Sequence, residues 1–253
     1  MRCAAAAGLA LLVGCSAGPD PRAGVHDGFE GRRLSGIWST DRFAPGAVVM
    51  QSAVVRAGHG AARVILRHGD VFERGANGGR DTERAELAEA ERWYSGENQT
   101  WEYRFSQYLS ADFPIVPVRL VLAQWKQYCN GAPPCEDDSP VVALRYVSGR
   151  LAVTLNAGRR QTTLFEAAGD LRGRWTDWRF QIHFTPGPGG VVRAWRNGEQ
   201  IVDYRGPSAY AENASTGYRS PSLFYFKMGL YRDTMAEPMT IYLDEYWKRP
   251  VAE

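Results

Sequence analysis

The stretch Tyr225-Phe226-Lys227-Met228-Gly229-Leu230-Tyr231 alternates between two kinds of residue along its whole length. Phe226, Met228 and Leu230 are apolar, whereas the positions between them carry a phenol, an ammonium group or no side chain. Because successive side chains of a β-strand point to opposite faces of the sheet, this pattern predicts a strand with one buried face and one face that offers polar groups.

Similar stretches recur along the chain between glycine, proline and asparagine residues. Ser148-Gly149 and Asn197-Gly198 each separate two such stretches and predict tight hairpins. Many strands of similar spacing favour two packed antiparallel sheets, and an all-β jelly-roll sandwich with a concave groove fits best. Residues 83–93 are rich in helix formers and are compatible with either a helix or an alternating strand. The predicted strands are 62–67, 100–109, 119–126, 141–146, 151–155, 191–195, 200–204, 223–231 and 239–247.

The length and composition indicate one globular domain. The chain has 253 residues, of which 44% are hydrophobic, and this is enough to bury a full core. A formal net charge of +2 disfavours a nucleic-acid binder with a basic surface over the whole domain, although a local basic groove stays open. Eight Trp and twelve Tyr suit a sheet-rich core or a carbohydrate-binding cleft. We expect a monomer.

The first residues predict export. Arg2 precedes the apolar run 4–13, which is too short to span a bilayer and is typical of a signal peptide. Leu12-Val13-Gly14-Cys15 resembles the lipobox of bacterial lipoproteins, which implies lipidation of Cys15 after cleavage. We therefore expect a signal peptide at 1–14, a flexible linker at 15–28 and a folded domain at 29–253. The protein would be lipid-anchored in the outer membrane or periplasm.

Two cysteines lie close together at Cys129 and Cys135. Export to an oxidising compartment favours a disulfide between them that closes a surface loop. A zinc site is disfavoured because no histidine lies nearby to complete a tetrahedral set of ligands. The adjacent carboxylates at 136–138 are compatible with a bound calcium ion. We expect no required cofactor.

Three segments place polar residues at every second position of a predicted strand, where they share one face. Arg84 and Glu86 do so in the first segment, and Gln124 and Lys126 do so in the second. The third is the stretch quoted above, in which Tyr225, Lys227, Gly229 and Tyr231 fall on one side. If the three strands lie together, one face of the sheet carries the chemistry and the other packs in the core.

The ordered trio Arg-x-Glu-Leu, Gln-Trp-x and Tyr-Phe-Lys-x-Gly-x-Tyr-Arg resembles the heparin lyase I and glucuronan lyase families of jelly-roll polysaccharide lyases. Alginate lyases with the same fold look similar. The resemblance spans roughly 60–247 and includes Trp178 and the hairpin around Asn197-Gly198. It implies β-elimination at a uronic acid, in which the proton on C5 is removed and the oxygen on C4 is expelled.

The chemistry gives each residue type a role. Neutralising the uronate carboxylate stabilises the enolate-like transition state, and Arg84 and Gln124 are the candidates for this task, with Lys126 or Lys227 assisting. A tyrosine then shuttles the proton if neighbouring cations such as Lys227 or Arg232 lower its pKa. Similarity to heparin lyases points to Tyr231 and similarity to alginate lyases points to Tyr225, and we favour Tyr231. Glu86 is expected to hold Arg84 or Lys227 by an ion pair.

The sequence departs from the family pattern at Lys126, where related lyases usually carry a histidine. His68 precedes the first segment and is kept as a candidate substrate contact, whereas Gln181-Ile-His183 imitates the missing motif and is interpreted as a coincidence. Arg232 is a second candidate contact. Tyr218 lies in the loop 208–220, which is either a sugar-binding lid or a plain connection.

Two other functions compete with an acidic-polysaccharide lyase. A glycoside hydrolase needs paired carboxylates at a fixed short spacing, and no predicted strand carries such a pattern. A non-catalytic carbohydrate-binding surface lipoprotein is the better alternative, because Lys126 in place of histidine weakens the case for chemistry and leaves the binding groups intact. The residues of the second and third segments resemble those of glucuronan lyases, which favours glucuronan as substrate.

Overall fold

The computed structural model describes residues 24–40, 42–70, 72–73, 81–129, 139–157, 161–212 and 217–251. Within these residues the regular structure is almost entirely β, with one short 3-10 turn at Glu91–Trp93. No helix in the described residues is long and apolar enough to cross a membrane. The strands are β1 (Val25–Asp27), β2 (Trp38–Ser39), β3 (Val48–Gln51), β4 (Ala61–Leu66), β5 (Phe72–Glu73), β6 (Thr82–Glu89), β7 (Ser95–Gly96), β8 (Thr100–Leu109), β9 (Leu120–Gln127), β10 (Val142–Val147), β11 (Arg150–Leu155), β12 (Thr162–Ala168), β13 (Trp175–His183), β14 (Val191–Arg196), β15 (Glu199–Arg205), β16 (Leu223–Asp233) and β17 (Met239–Pro250).

The strands form two antiparallel sheets, which confirms the predicted jelly-roll sandwich. The front sheet has the order β12-β11-β10-β9-β16-β6-β2, with β5 on β6 and β7 on β16. The back sheet has the order β15-β14-β13-β8-β17-β4-β3, with β1 on β17. The strands β9 to β12 and β13 to β15 pair in chain order, whereas β16 lies between β9 and β6, and β17 lies between β8 and β4. The centre of each sheet therefore depends on long-range pairing.

Large aromatic side chains fill the space between the two sheets. Trp125 of the front sheet packs against Phe180 of the back sheet with ring centroids 4.5 Å apart, and against Phe226 at 4.9 Å. Phe226 in turn stacks on Tyr246 of the back sheet at 5.5 Å. These contacts bury large apolar areas and fix which face of each strand turns inward.

The two predicted hairpins form as their sequences require. Ser148 and Gly149 both have positive φ, as do Asn197 and Gly198, and this conformation matches the twist of the strands they join. The ambiguous residues 83–93 form β6 followed by the 3-10 turn, because Ala85 and Leu87 alternate into the core. In this segment, packing outweighs helix propensity.

Of the N-terminal segments predicted from the sequence, only the last part of the linker falls on described residues. The linker predicted at 15–28 is wrong in its last part, since Val25–Asp27 pairs with β17 through Lys248, Trp247 and Tyr246. The signal peptide, Cys15 and the start of the linker lie outside the described residues. Export and lipidation therefore stay predictions.

Candidate active site

The three polar segments lie on three neighbouring strands, β9, β16 and β6, in the middle of the front sheet. Across the β16–β9 pair, Tyr225 lies opposite Lys126, and Lys227 lies opposite Gln124. Across the β16–β6 pair, Tyr231 lies opposite Arg84. Segments more than a hundred residues apart in sequence thus meet on one sheet.

All of these side chains share the outer face of the front sheet. The alternate residues of the same strands, such as Leu87, Trp125 and Phe226, belong to the core. The pairing of β9 with β10 and with β16 shifts register near Val121, which marks a bulge in β9. Bulges of this kind bend a strand and redirect its side chains.

Glu86 is the centre of the polar contacts. Its carboxylate is 1% exposed and accepts a hydrogen bond from the Gln124 amide. Its second oxygen lies 3.3 Å from Lys227 Nζ and 3.8 Å from Arg84 Nε. Burial lowers the pKa of Lys227, while the Glu86 carboxylate opposes this shift. Glu86 therefore holds the candidate cations in place at the floor of the site.

Guanidinium groups surround the ring of Tyr231. The Cζ of Arg84 lies 5.0 Å from the ring centroid, and the Cζ of Arg119 lies 4.8 Å from it. Arg145 occupies the same row of the sheet, since it pairs with Val121 and Val121 pairs with Tyr231. Tyr231 is partly exposed, so its phenol sits among cations at the surface of the site.

Tyr225 has a different environment. Its ring stacks on Tyr94 with centroids 5.0 Å apart, and Lys227 Nζ lies 5.9 Å from its centroid. Burial raises the pKa of the Tyr225 phenol well above its usual range, and burial also raises the pKa of Tyr94 to about 12. Arg42 and Arg84 oppose this rise in the pKa of Tyr225, but burial outweighs them, so the expected lowering of the phenol pKa does not occur at Tyr225.

Two predicted substrate contacts lie elsewhere. Arg232 is 0% exposed and turns to the other face of β16, where it lies 2.8 Å from Glu83. His68 lies 3.2 Å from the same Glu83, whose side chain points away from Arg84 along β6. The structure corrects both predictions. The two side chains belong to an ion-pair cluster around Glu83 and do not lie on the face that carries Arg84.

Tyr218 is not exposed as the predicted sugar contact would require. Its ring is 2% exposed and stacks on Tyr210 with centroids 5.4 Å apart. It therefore supports the loop from within and offers no surface to a sugar. His183, in the sequence that imitates the missing histidine motif, lies on the back sheet with its Nδ1 2.9 Å from Thr100 Oγ1, away from the site.

Four residues near the site were not predicted. Arg145 lies at an outward position of a predicted strand, and Arg119 begins another, so the alternation that identified Lys126 could have identified both. Arg42 and Tyr94 lie in irregular segments with no periodic signal. Arg42 is placed by a backbone hydrogen bond in which Glu86 N donates to its carbonyl.

The described residues hold no group of three His, Cys, Asp or Glu side chains that could bind a metal ion. Cys129 follows β9, whereas Cys135 and the carboxylates of 136–138 fall outside the described residues. The disulfide and the calcium ion therefore stay predictions.

Comparison with known proteins identifies the family and supports the fold. The model of a family described as polysaccharide lyase matches residues 25–246. No curated protein matches the sequence. An endo-β-1,4-glucuronan lyase structure from the fungus Trichoderma reesei is 19% identical with a TM-score of 0.64, and the match covers 83% of this chain and 91% of that one. An alginate lyase of polysaccharide lyase family 7 is 15% identical with a TM-score of 0.55, covering 83% and 84%. At these identities the structures support the fold, and the resemblance to heparin lyase I stays a prediction.

Proposed function

Because this chain belongs to the polysaccharide lyase family, we propose that it cleaves an acidic, uronate-containing polysaccharide, with glucuronan as its substrate, by β-elimination. The observation that carries the proposal is the convergence of Arg84, Gln124 and Tyr231 on one face of three neighbouring strands. A guanidinium, an amide and a phenol are the groups that this reaction needs beside one sugar ring.

In the proposed reaction, Arg84 and Gln124 bind the uronate carboxylate at the reacting sugar. The carboxylate has to take up negative charge when the C5 proton leaves, and fixed donors stabilise that charge as it develops. The electron pair of the C5–H bond forms the C4=C5 double bond, and the pair of the C4–O bond leaves with the glycosidic oxygen. Lys126 and Lys227 add positive charge to the same face.

Tyr231 is the proposed proton shuttle. It takes the proton from C5 as a phenolate and returns one to the leaving oxygen on the same side of the sugar ring. The guanidiniums of Arg84 and Arg119 lie 5.0 and 4.8 Å from the centroid of its ring and place positive charge beside the proposed position of the sugar. Tyr225 is less suited to this role, because its burial disfavours ionisation.

The choice of glucuronan is supported by the resemblance of the second and third segments to glucuronan lyase motifs and by the similarity of the fold to that of a glucuronan lyase. We also propose that the protein is exported as a lipoprotein anchored through Cys15, with a disulfide between Cys129 and Cys135. It would then meet its polymer outside the cytoplasm, as a monomer.

A spectrophotometric assay tests the proposed function. Purified protein is incubated with glucuronan, alginate, heparin and hyaluronan, and the ultraviolet absorbance of the unsaturated uronate product is followed. We expect a rise with glucuronan. Tyr231→Phe should lower the turnover number roughly 100-fold or more while polymer binding persists, since a positioned acid–base group contributes on this order. Tyr225→Phe is the matched control and should retain more activity than Tyr231→Phe.

A second candidate function is a carbohydrate-binding lipoprotein without catalysis, which Lys126 in the usual histidine position favours. Polymer binding with no absorbance rise on any of the four polymers would support this alternative and reject the lyase. Full activity in Tyr231→Phe together with its loss in Tyr225→Phe would instead move the proton shuttle to Tyr225.

A further inference from the structure

The outer face of the back sheet carries a groove of about 890 Å³, on the opposite side of the molecule from the candidate active site. Five strands contribute one residue each to a row across it. Trp195 of β14 pairs with Arg179 of β13, Arg179 with Arg104 of β8, Arg104 with Trp247 of β17, and Trp247 with His26 of β1. The two tryptophans stand three strand spacings apart, about 14 Å at the usual spacing.

The aromatic rings of this row offer flat surfaces to a ligand. Trp247 is 45% exposed, and His26 stacks on its ring with centroids 3.7 Å apart. At the other end, the guanidinium of Arg179 lies over the ring of Trp195 at 3.6 Å. Sites that bind small molecules combine such apolar rings with a few placed polar groups.

The polar groups between the rings carry excess positive charge. Glu102 is buried and is shared by three guanidiniums, those of Arg104 and Arg249 at 2.8 Å and that of Arg179 at 3.9 Å. One carboxylate therefore faces three cations. The Nε of Arg179 is also buried, and within the described part of the chain it has no hydrogen-bond partner.

The remaining charged residues of the groove are Arg56, Asp177, Glu245 and Lys248. Glu245 lies 4.0 Å from His26 and accepts a hydrogen bond from Trp247 Nε1, so its charge is at the Trp247 end. Arg56 donates two hydrogen bonds to Asp177, at 3.0 and 2.8 Å, so this pair is neutral. The Lys248 ammonium turns away into the core, where it lies 3.0 Å from Glu89. The end near Glu102 is therefore the part of the groove that suits an anion.

We infer that this groove is a second, non-catalytic binding site for an acidic polysaccharide chain. Guanidinium forks match planar carboxylates, and the flanking aromatic rings match the apolar faces of sugar rings. The choice of an acidic polymer rests on the proposed function, whereas the groove itself does not. Two sites on opposite faces hold different stretches of polymer, so long chains bind more tightly than either site alone allows.

Affinity electrophoresis tests this inference. All proteins carry Tyr231→Phe so that the polymer stays intact, and they migrate through gels that contain glucuronan, alginate or neutral dextran. Trp247→Ala and Arg179→Ala should each weaken the apparent dissociation constant for the acidic polymer about tenfold, since each removes a ring contact or a charged hydrogen bond. Dextran should retard none of the proteins, and added salt should reduce the retardation.

The matched controls are Trp247→Phe, which keeps an aromatic ring, and Arg172→Ala, which removes an exposed arginine paired with Asp170 outside the groove. Both should bind like the parent, and circular dichroism checks that each variant is folded. Unchanged retardation of Trp247→Ala and Arg179→Ala would overturn the inference. A dimer that Trp247→Ala converts to a monomer, seen by light scattering without polymer, would also overturn it by assigning the groove to a second copy of the chain. The proposed function is tested separately. It fails if the unsubstituted protein forms no unsaturated product in the absorbance assay.

Discussion

Glu86 is the residue on which the polar side chains of the candidate active site converge. It contacts Gln124, Lys227 and Arg84, and both it and Lys227 are buried. An ion removed from water is tolerated only with a partner of opposite charge, so each of these groups depends on the others. Glu86 consequently stabilises the fold and orients the catalytic candidates at the same time.

Glu86→Gln should therefore destabilise the protein. The amide keeps the shape of the side chain but leaves the Lys227 ammonium buried without an anion. We expect the free energy of unfolding to fall by about 3 kcal/mol, as for other broken buried pairs. Urea denaturation of the variant and the parent measures this change.

The matched control for this prediction is Glu166→Gln, which breaks an exposed pair with Arg150 on β11 and β12. Exposed pairs contribute at most about 1 kcal/mol, so this variant should unfold close to the parent. Equal losses in the two variants would show that the burial of Glu86 gives it no special role.

Arg84 should affect binding and catalysis together. Its guanidinium faces both Glu86 and the Tyr231 ring, and the proposed contact with the uronate exists before and during the reaction. Arg84→Ala should raise KM and lower kcat, with kcat/KM falling roughly 100-fold or more. Arg84→Lys should recover only part of this loss, because an ammonium lacks the fork of the guanidinium. Initial rates on glucuronan measure both constants, and an unchanged kcat/KM in Arg84→Ala would reject the assigned role.

The strand β16 depends on one glycine for its place beside β6. Gly229 has φ of 141°, and a Cβ there would lie 2.3 Å from the carbonyl oxygen of Ala85 and 2.9 Å from the Cα of Glu86. A side chain would thus push β6 away from β16 and separate Arg84 from Tyr231. We expect Gly229→Ala to lower the free energy of unfolding by roughly 3 kcal/mol, from backbone strain and overpacking together.

Gly198→Ala separates these two causes. Gly198 also has positive φ, at 87°, but its added Cβ would meet no atom within 4 Å. It should cost only the backbone strain, on the order of 1 kcal/mol. Urea unfolding compares the two variants, and a Gly229→Ala loss no larger than that of Gly198→Ala would contradict the close approach of β6.

Strand alternation predicted many of the long strands, missed β12 and β13, and identified none of the two-residue strands. Residues 100–109 were predicted as a strand with the bounds that β8 has, because ten alternating residues leave little ambiguity. Strands of two residues, such as β2 and β7, carry no periodic signal and exist only because a neighbour pairs with them. Their existence depends on tertiary contacts, which the local sequence does not encode.

The site was predictable to the same extent as the strands that carry it. Arg84, Gln124 and Tyr231 could be found because they occupy outward positions of long alternating strands. Arg232 was misplaced by a single step of the same alternation, since it follows Tyr231 directly and therefore points to the opposite face. Arg42 reaches the site from a loop, and only the folded chain could reveal it.

Buried ionisable groups link the two sheets through the core. Glu89 of the front sheet accepts a hydrogen bond from the Tyr246 hydroxyl of the back sheet and lies 3.0 Å from Lys248 Nζ. Burial raises the pKa of Tyr246 and of Tyr103 well above the usual range, with the Glu89 carboxylate adding to both shifts. Burial also lowers the pKa of Lys248, which Glu89 opposes. The stability of the whole sandwich therefore depends on pH in the alkaline range.

The direction of this dependence follows from the protons that each state binds. Tyr103, Tyr225 and Tyr246 keep their protons in the folded protein after the unfolded chain begins to lose them near pH ~10, so their stabilisation declines above that pH. Lys227 and Lys248 act oppositely, because their lowered pKa values relieve a cost as the pH rises, but this gain ends near pH ~10.5. Tyr94, whose pKa burial raises to about 12, acts in the same direction as these three tyrosines. Above pH ~10.5 the free energy of unfolding should therefore fall as the pH rises, and each tyrosine that stays protonated only in the folded protein contributes about 1.4 kcal/mol per pH unit. Urea unfolding between roughly pH 8 and 11.5 measures the slope, and Tyr246→Phe should make it less steep by about 1.4 kcal/mol per pH unit. An identical slope in that variant would mean that the buried Tyr246 ionises as readily in the folded protein as in the unfolded chain.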